Sequence, residues 1–132
     1  MFNRNPNLKY RSLWLAVGYT LVAYVIYSSL TPNPIEMDVS NFDKYAHTFG
    51  YFVLMGWFMQ IYHQKKSVIM LAVFFIFMGV ALEYVQGMTG YRYFDFKDML
   101  ANGFGVVLAV MLIQTPFPQI LWIFERKFLV KL

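Results

Sequence analysis

The sequence predicts an all-α, polytopic membrane protein with four transmembrane helices and a C-terminal interfacial helix. Hydrophobic residues make up 59% of the chain and charged residues only 14%. A soluble domain carries about 25% charged residues, so this chain has too few to cover a water-exposed surface. Four apolar runs, 13–30, 45–62, 68–85 and 99–115, approach the ~20 residues needed to cross a bilayer. The segments between them are short and polar. A length of 132 residues fits one domain, 1–132. The chain has no cysteine, which excludes disulfides, thiolate metal sites and cysteine nucleophiles.

Arg4, Lys9 and Arg11 precede the first run, as in a signal peptide. The run is too long for a signal h-region, and "YSSLTPNPIEMD" after it offers no small-residue cleavage site, so a retained helix is expected. Residues 31–44, with Pro32, Pro34, Glu36 and Asp38, read as a non-helical acidic loop. "HQKKS" at 63–67 is a tight basic turn, and "QGMTGYRYFDFKD" at 86–98 mixes glycines, aromatics and charges. Gly87 is placed as the stop of the third helix. Ala101, Gly105 and Ala109 recur every four positions, a pattern that lets helices approach closely. It is read as packing within a monomer. In the tail, Phe117, Ile120, Leu121, Phe124 and Phe128 fall near one helical face, suited to the inner membrane interface. Lys131 sits close to that face, and a frayed tail is the alternative.

Charge bias orients the chain. Arg4, Lys9, Arg11, Lys65, Lys66, Arg126, Lys127 and Lys131 lie on one face, out of eleven Lys and Arg in all. The other face holds Lys44, Arg92 and Lys97 against Glu36, Asp38, Asp43, Asp95 and Asp98. Lys/Arg-rich loops stay cytoplasmic, so both termini are expected on the cytoplasmic side of the membrane. The net charge of +4 is thus a topology signal, with no nucleic-acid partner implied.

Polar residues gather at the outer level. Asp43, His47 and Tyr51 are spaced i, i+4, i+8 on one side of the second helix. Glu83 and Gln86 lie near the end of the third, and Asp95, Asp98 and Asn102 share a side entering the fourth. Arg92 and Lys44 stand at the rim. Each has a bland reading: Asp43, Asp95 or Asp98 as helix caps, Lys44 snorkelling, His47 as an interhelical hydrogen-bonder. Glu83 lies deep in an apolar run and needs a partner, for which Arg92 or His47 is the candidate.

The segments "DKYAHTFGY" (43–51), "EYVQ" (83–86) and "RYFDFKDMLANGFG" (92–105) together resemble the VanZ-like family, whose members show D-K-x-x-H-x-x-x-Y, E-x-x-Q and R-x-x-D-x-x-D-x-x-x-N-x-x-G in that order. The matching core runs over 43–105. The resemblance implies a small multi-pass bacterial membrane protein, with the family's namesake associated with resistance to the glycopeptide teicoplanin. It also points to Asp43, Lys44, His47, Tyr51, Glu83, Gln86, Arg92, Asp95, Asp98 and Asn102.

Three functions fit these residues. As an enzyme on a lipid head group, the chain would use Lys44 and Arg92 to hold a phosphate. Tyr51, Gln86, Asp95 and Asn102 would help bind it. His47, held by Asp43 or Glu83, would move protons, with Glu83 or Asp98 supplying the opposite one. Phosphoryl or acyl transfer would both fit. As a binding module, the same rim would capture an anionic lipid or lipoglycopeptide without chemistry. As a metal site, His47, Glu83, Asp95 and Asp98 would suit a divalent ion, opposed by Lys44 and Arg92. No cofactor is expected on balance.

Topology gives a direct check. A periplasm-active reporter fused after Leu132 should be silent, and one inserted near Asn33 should be active; the reverse pattern would place the polar cluster inside.

Overall fold

A computed structural model describes residues 8–32 and 42–129. Arg4, the acidic loop residues Pro34, Glu36 and Asp38, and Lys131 lie outside the described residues. All regular structure among the described residues is helical: α1 (Arg11–Leu30), α2 (Phe42–Met59), α3 (Lys65–Met88), α4 (Phe96–Val110), a 3-10 turn (Phe117–Gln119), α5 (Ile120–Phe124) and a π turn (Glu125–Leu129).

Two of the four expected spans, α1 and α3, are long and apolar enough to cross a membrane by length and composition. The surface of α3 agrees, because Ile69, Met70, Val73, Phe74 and Phe77 are all exposed, an apolar patch of the kind that marks a membrane or partner surface. The other two expected spans are shorter, with 18 residues in α2 and 15 in α4. At ~1.5 Å per residue α4 falls short of a ~30 Å hydrocarbon core. It ends at Val110 because the chain tightens there, Leu112 N–H donating to Ala109 O and Ile113 N–H to Val110 O. The expected run to Thr115 is therefore a short helix plus tight turns.

The end of α3 also differs from expectation. The helix passes through Gly87 to Met88, and Gly90 takes the left-handed turn at φ +84°, where a side chain would be strained. Gly87 serves a different need: a Cβ there would come within 2.9 Å of Phe94 Cβ.

The helices α2 and α4 are parallel neighbours in direct contact, and α3 runs in the opposite direction against them. Lys44 meets Asp98, His47 meets Asn102, and Thr48 lies on Gly105, so both sequences advance in the same direction. The contact at Gly105 is backbone on backbone. Any Cβ at this position would collide with the Thr48 carbonyl oxygen and lie 2.9 Å from Phe52 N. The small-residue pattern of α4 is thus used inside one chain, with Ala109 fully buried below it. Tyr51, Leu54, Met55, Phe75 and Val106 fill the space between the three helices.

The opposite end of the bundle is closed by the C-terminal segment. Glu125, 1% exposed, accepts hydrogen bonds from Lys9 N–H (2.8 Å), Tyr10 N–H (2.9 Å) and Trp14 Nε1–H (2.5 Å). A carboxylate at a helix N-terminus satisfies donors that the helix leaves open and complements its dipole. Gln60 clasps the same segment, donating to Phe117 O at 2.8 Å and accepting from Leu121 N–H at 3.0 Å. His63 donates from Nε2 to Pro118 O at 2.9 Å; burial pushes its imidazole below the ordinary range, opposed by that carbonyl. The expected single apolar face divides: Leu121 is buried and Phe117 half-buried, whereas Ile120, Phe124 and Phe128 are exposed.

The α2–α4 contact predicts an asymmetry between two glycines of one helix. Gly105→Ala forces the helices apart and should cost about 1–3 kcal/mol, as overpacking does. Gly103→Ala meets no atom within 4 Å and should gain about 0.5–1 kcal/mol from helix propensity. Thermal unfolding in detergent measures both.

Candidate functional site

The polar cluster forms where α2 and α4 begin and α3 ends. Two helix N-termini there favour negative charge, and the sequence supplies it in Asp43, Asp95 and Asp98. Asp95 caps α4, its Oδ1 accepting from Lys97 N–H at 2.9 Å. Asp43 and Asp98 lie in the first turns of α2 and α4.

Lys44 sits among these acids. Its ammonium pairs with Asp43, with Asp95 Oδ2 at 2.8 Å and with Asp98 Oδ1 at 2.8 Å. Burial would lower the lysine, but the hydrogen bonds to Asp43, Asp95 and Asp98 outweigh it and hold the ammonium well above its usual range. The same hydrogen bonds hold Asp43 and Asp95 below the usual carboxylate range. Lys44 is therefore an internal counter-ion.

Deeper in, His47 Nδ1 faces Asn102 Oδ1 at 2.7 Å, and Nε2 lies 3.6 Å from Asp98 Oδ2. Nδ1 therefore carries the proton, and Nε2 is turned towards carboxylates. Glu83, 1% exposed, completes this layer: one ligand atom each from His47, Glu83 and Asp98 lies within 4.8 Å of the others. The bonded partner of Glu83 is the backbone, Asp95 N–H donating to Oε1 at 2.9 Å. That bond fastens the loop after α3 to the start of α4. Tyr51 is buried one turn below His47, and Gly79 makes room for both Asn102 and the Tyr51 ring.

Two expected site residues stand apart. Arg92 donates from Nη1 to Ser28 O (2.8 Å) and Thr31 O (3.2 Å) at the end of α1. It was a candidate partner for Glu83, but the open carbonyls at the C-terminus of α1 are the negative end of that dipole and attract the guanidinium. Tyr91 reinforces the attachment, its hydroxyl donating to Leu30 O at 2.7 Å. Gln86 donates from Nε2 to Tyr93 O at 3.1 Å and braces the loop.

An open groove of about 830 Å³ reaches this end of the bundle, lined by Ile76, Val80, Leu100, Phe104 and Val107, with Lys44, Thr48 and Lys97 also on its wall. The Lys97 ammonium has no ion-pair partner among the described residues. Sequence reasoning placed Lys97 on this face without a role.

A family model for VanZ/LLP1 matches residues 3–121. The chain belongs to this family. An uncharacterized protein of Schizosaccharomyces pombe is similar, 31% identical over 93 residues, which cover 68% of this chain and 54% of the yeast protein. No solved structure matches the chain.

The acid layer carries a pH signature. A depressed carboxylate stabilises the fold above its unfolded pKa of about 3.9, and that contribution is lost as pH falls through the folded value. The contribution of the Asp95–Lys44 pairing should therefore be complete at pH 6, begin to fall near about pH 4 and be lost below the depressed folded value. Asp95→Asn keeps a capping oxygen and removes the charge. Its melting temperature should fall less steeply than the parent's in acid, as followed by thermal scans from pH 6 to 3.

Proposed function

We propose that the protein spans the membrane with four helical segments, both termini cytoplasmic, and handles an anionic amphiphile at the outer face. The observation that carries this reading is the continuity of an apolar groove on α3 and α4 with the polar cluster at its end. An acyl chain would lie along Ile76, Leu100 and Phe104, and its head group would reach Lys97. Exposed cationic side chains at the rim of an apolar surface suit a lipid phosphate.

The geometry changes how the anion would be held. Lys44 is already neutralised by three carboxylates, and the Arg92 Nη1 is engaged by α1. Lys97 is therefore the cation available to a ligand, with the His47 imidazole behind it. A phosphoryl- or acyl-transfer step would use His47 for proton movement; binding alone would not need it. The VanZ-like resemblance supports a role in the cell envelope, with teicoplanin resistance as one form of it.

Purified protein in neutral detergent tests this reading. Phosphatidylglycerol should raise the melting temperature and phosphatidylcholine should not. Lys97→Gln should melt close to the parent and lose the difference. An equal response to both lipids in the parent would remove the anion reading. A normal lipid response in Lys97→Gln would remove the head-group role given to Lys97.

A further inference from the structure

Two acidic groups lie side by side at this end of the bundle, and they differ in one respect. The outer group, Asp43, Asp95 and Asp98, surrounds the Lys44 ammonium and so contains its own cation. The inner group, His47, Glu83 and Asp98, contains none. Glu83 and Asp98 are 1% and 5% exposed. Two buried carboxylates this close cannot both stay ionised without a cation or a proton between them. Lys44 binds Asp98 through Oδ1, which leaves Oδ2 directed to the His47 side.

The imidazole is oriented as a metal ligand would be. Its Nδ1 proton goes to Asn102 Oδ1, which leaves the Nε2 lone pair facing carboxylates. Metal-bound histidines are fixed in this way, the far nitrogen donating to an oxygen. A lone pair opposite carboxylates is repulsive until a cation or a second ring proton lies between them.

A separate observation lies outside the trio. Tyr51 is 2% exposed, and its hydroxyl has no hydrogen-bond partner. Side chains on a helix lean towards its N-terminus, so the Glu83 carboxylate leans back over Gly79. The Tyr51 ring edge lies there, 3.4 Å from where a Gly79 Cβ would be. A buried hydroxyl without a partner is costly; a water or ligand beside Glu83 would satisfy it.

We propose that His47, Glu83 and Asp98 bind one divalent first-row cation, with Tyr51 facing a further ligand of that ion. One imidazole and two carboxylates suit Mn²⁺ or Zn²⁺. Ligand distances of roughly 2.0–2.2 Å need the three side chains to draw together by about an ångström. Lys44 holds Asp98 through Oδ1, and the ion would take it through Oδ2. The site rests on these side chains alone and does not depend on the lipid reading.

Protein stripped with chelator and kept in lipid-free detergent provides the test, with Mn²⁺ as the probe. The parent should bind one equivalent with saturation, melt at a higher temperature when loaded, and show imidazole nitrogen coupling in its Mn²⁺ spectrum. His47→Gln should remove the coupling and weaken binding at least tenfold, and Glu83→Gln should do the same if it folds. His63→Gln, which alters the other histidine at the opposite end of the bundle, should bind Mn²⁺ as the parent does. No saturable binding by the parent, or loss in His63→Gln with none in His47→Gln, would overturn the proposal. Lipid binding without metal binding would overturn this site and leave the amphiphile reading standing.

Discussion

The backbone contact between Gly105 and Thr48 sets the geometry of the polar end. With no side chain at position 105, α4 lies directly on the carbonyl of Thr48. Two parallel helices held this closely have one register. In that register Lys44 stands opposite Asp98 and His47 opposite Asn102. If the surrounding solvent is lipid, burial of apolar surface adds little between helices, and close packing with interhelical hydrogen bonds does most of the holding.

Helix direction then distributes the charge. The N-termini of α2 and α4 meet at one end and stabilise Asp43, Asp95 and Asp98. At the same end α1 presents its C-terminal carbonyls, and Arg92 binds them. At the opposite end the N-terminal side of α1 is met by Glu125. Each charged group that binds backbone thus lies at the helix end of opposite polarity. The packing surface of α1 is thin, with Gly18 its buried residue, so these two end attachments matter for its position. Trp57 adds a third, donating from Nε1 to Trp14 O at 2.9 Å.

Much of the polar end was legible in the sequence because each group interrupts an apolar run near its boundary. Helical spacing put Asp43, His47 and Tyr51 on one side, and Asp95, Asp98 and Asn102 on another. The family membership was legible from the same letters. What local spacing could not supply was the choice of partner. Arg92 binds carbonyls of a helix more than 60 residues away, and backbone acceptors leave no mark in a side-chain pattern. Glu125 was missed for the same reason: in "FERKF" it reads as one solvated charge among several, and its donors are Lys9, Tyr10 and Trp14. The tail residues between Phe117 and Leu121 are likewise fixed by Gln60 and His63 from the α2–α3 turn. The length of α4 was overestimated because hydropathy continues past Val110 although the helix does not.

The account stands on the pairing of α2 with α4 that brings Lys44 to Asp98. A double-mutant cycle with Lys44→Met and Asp98→Asn, read by reversible unfolding in detergent near neutral pH, measures that pairing most directly. The account predicts a coupling energy of about 0.5–3 kcal/mol, as for residues in one ion-pair network. Effects that add to within about 0.3 kcal/mol, the behaviour of distant independent sites, would contradict it.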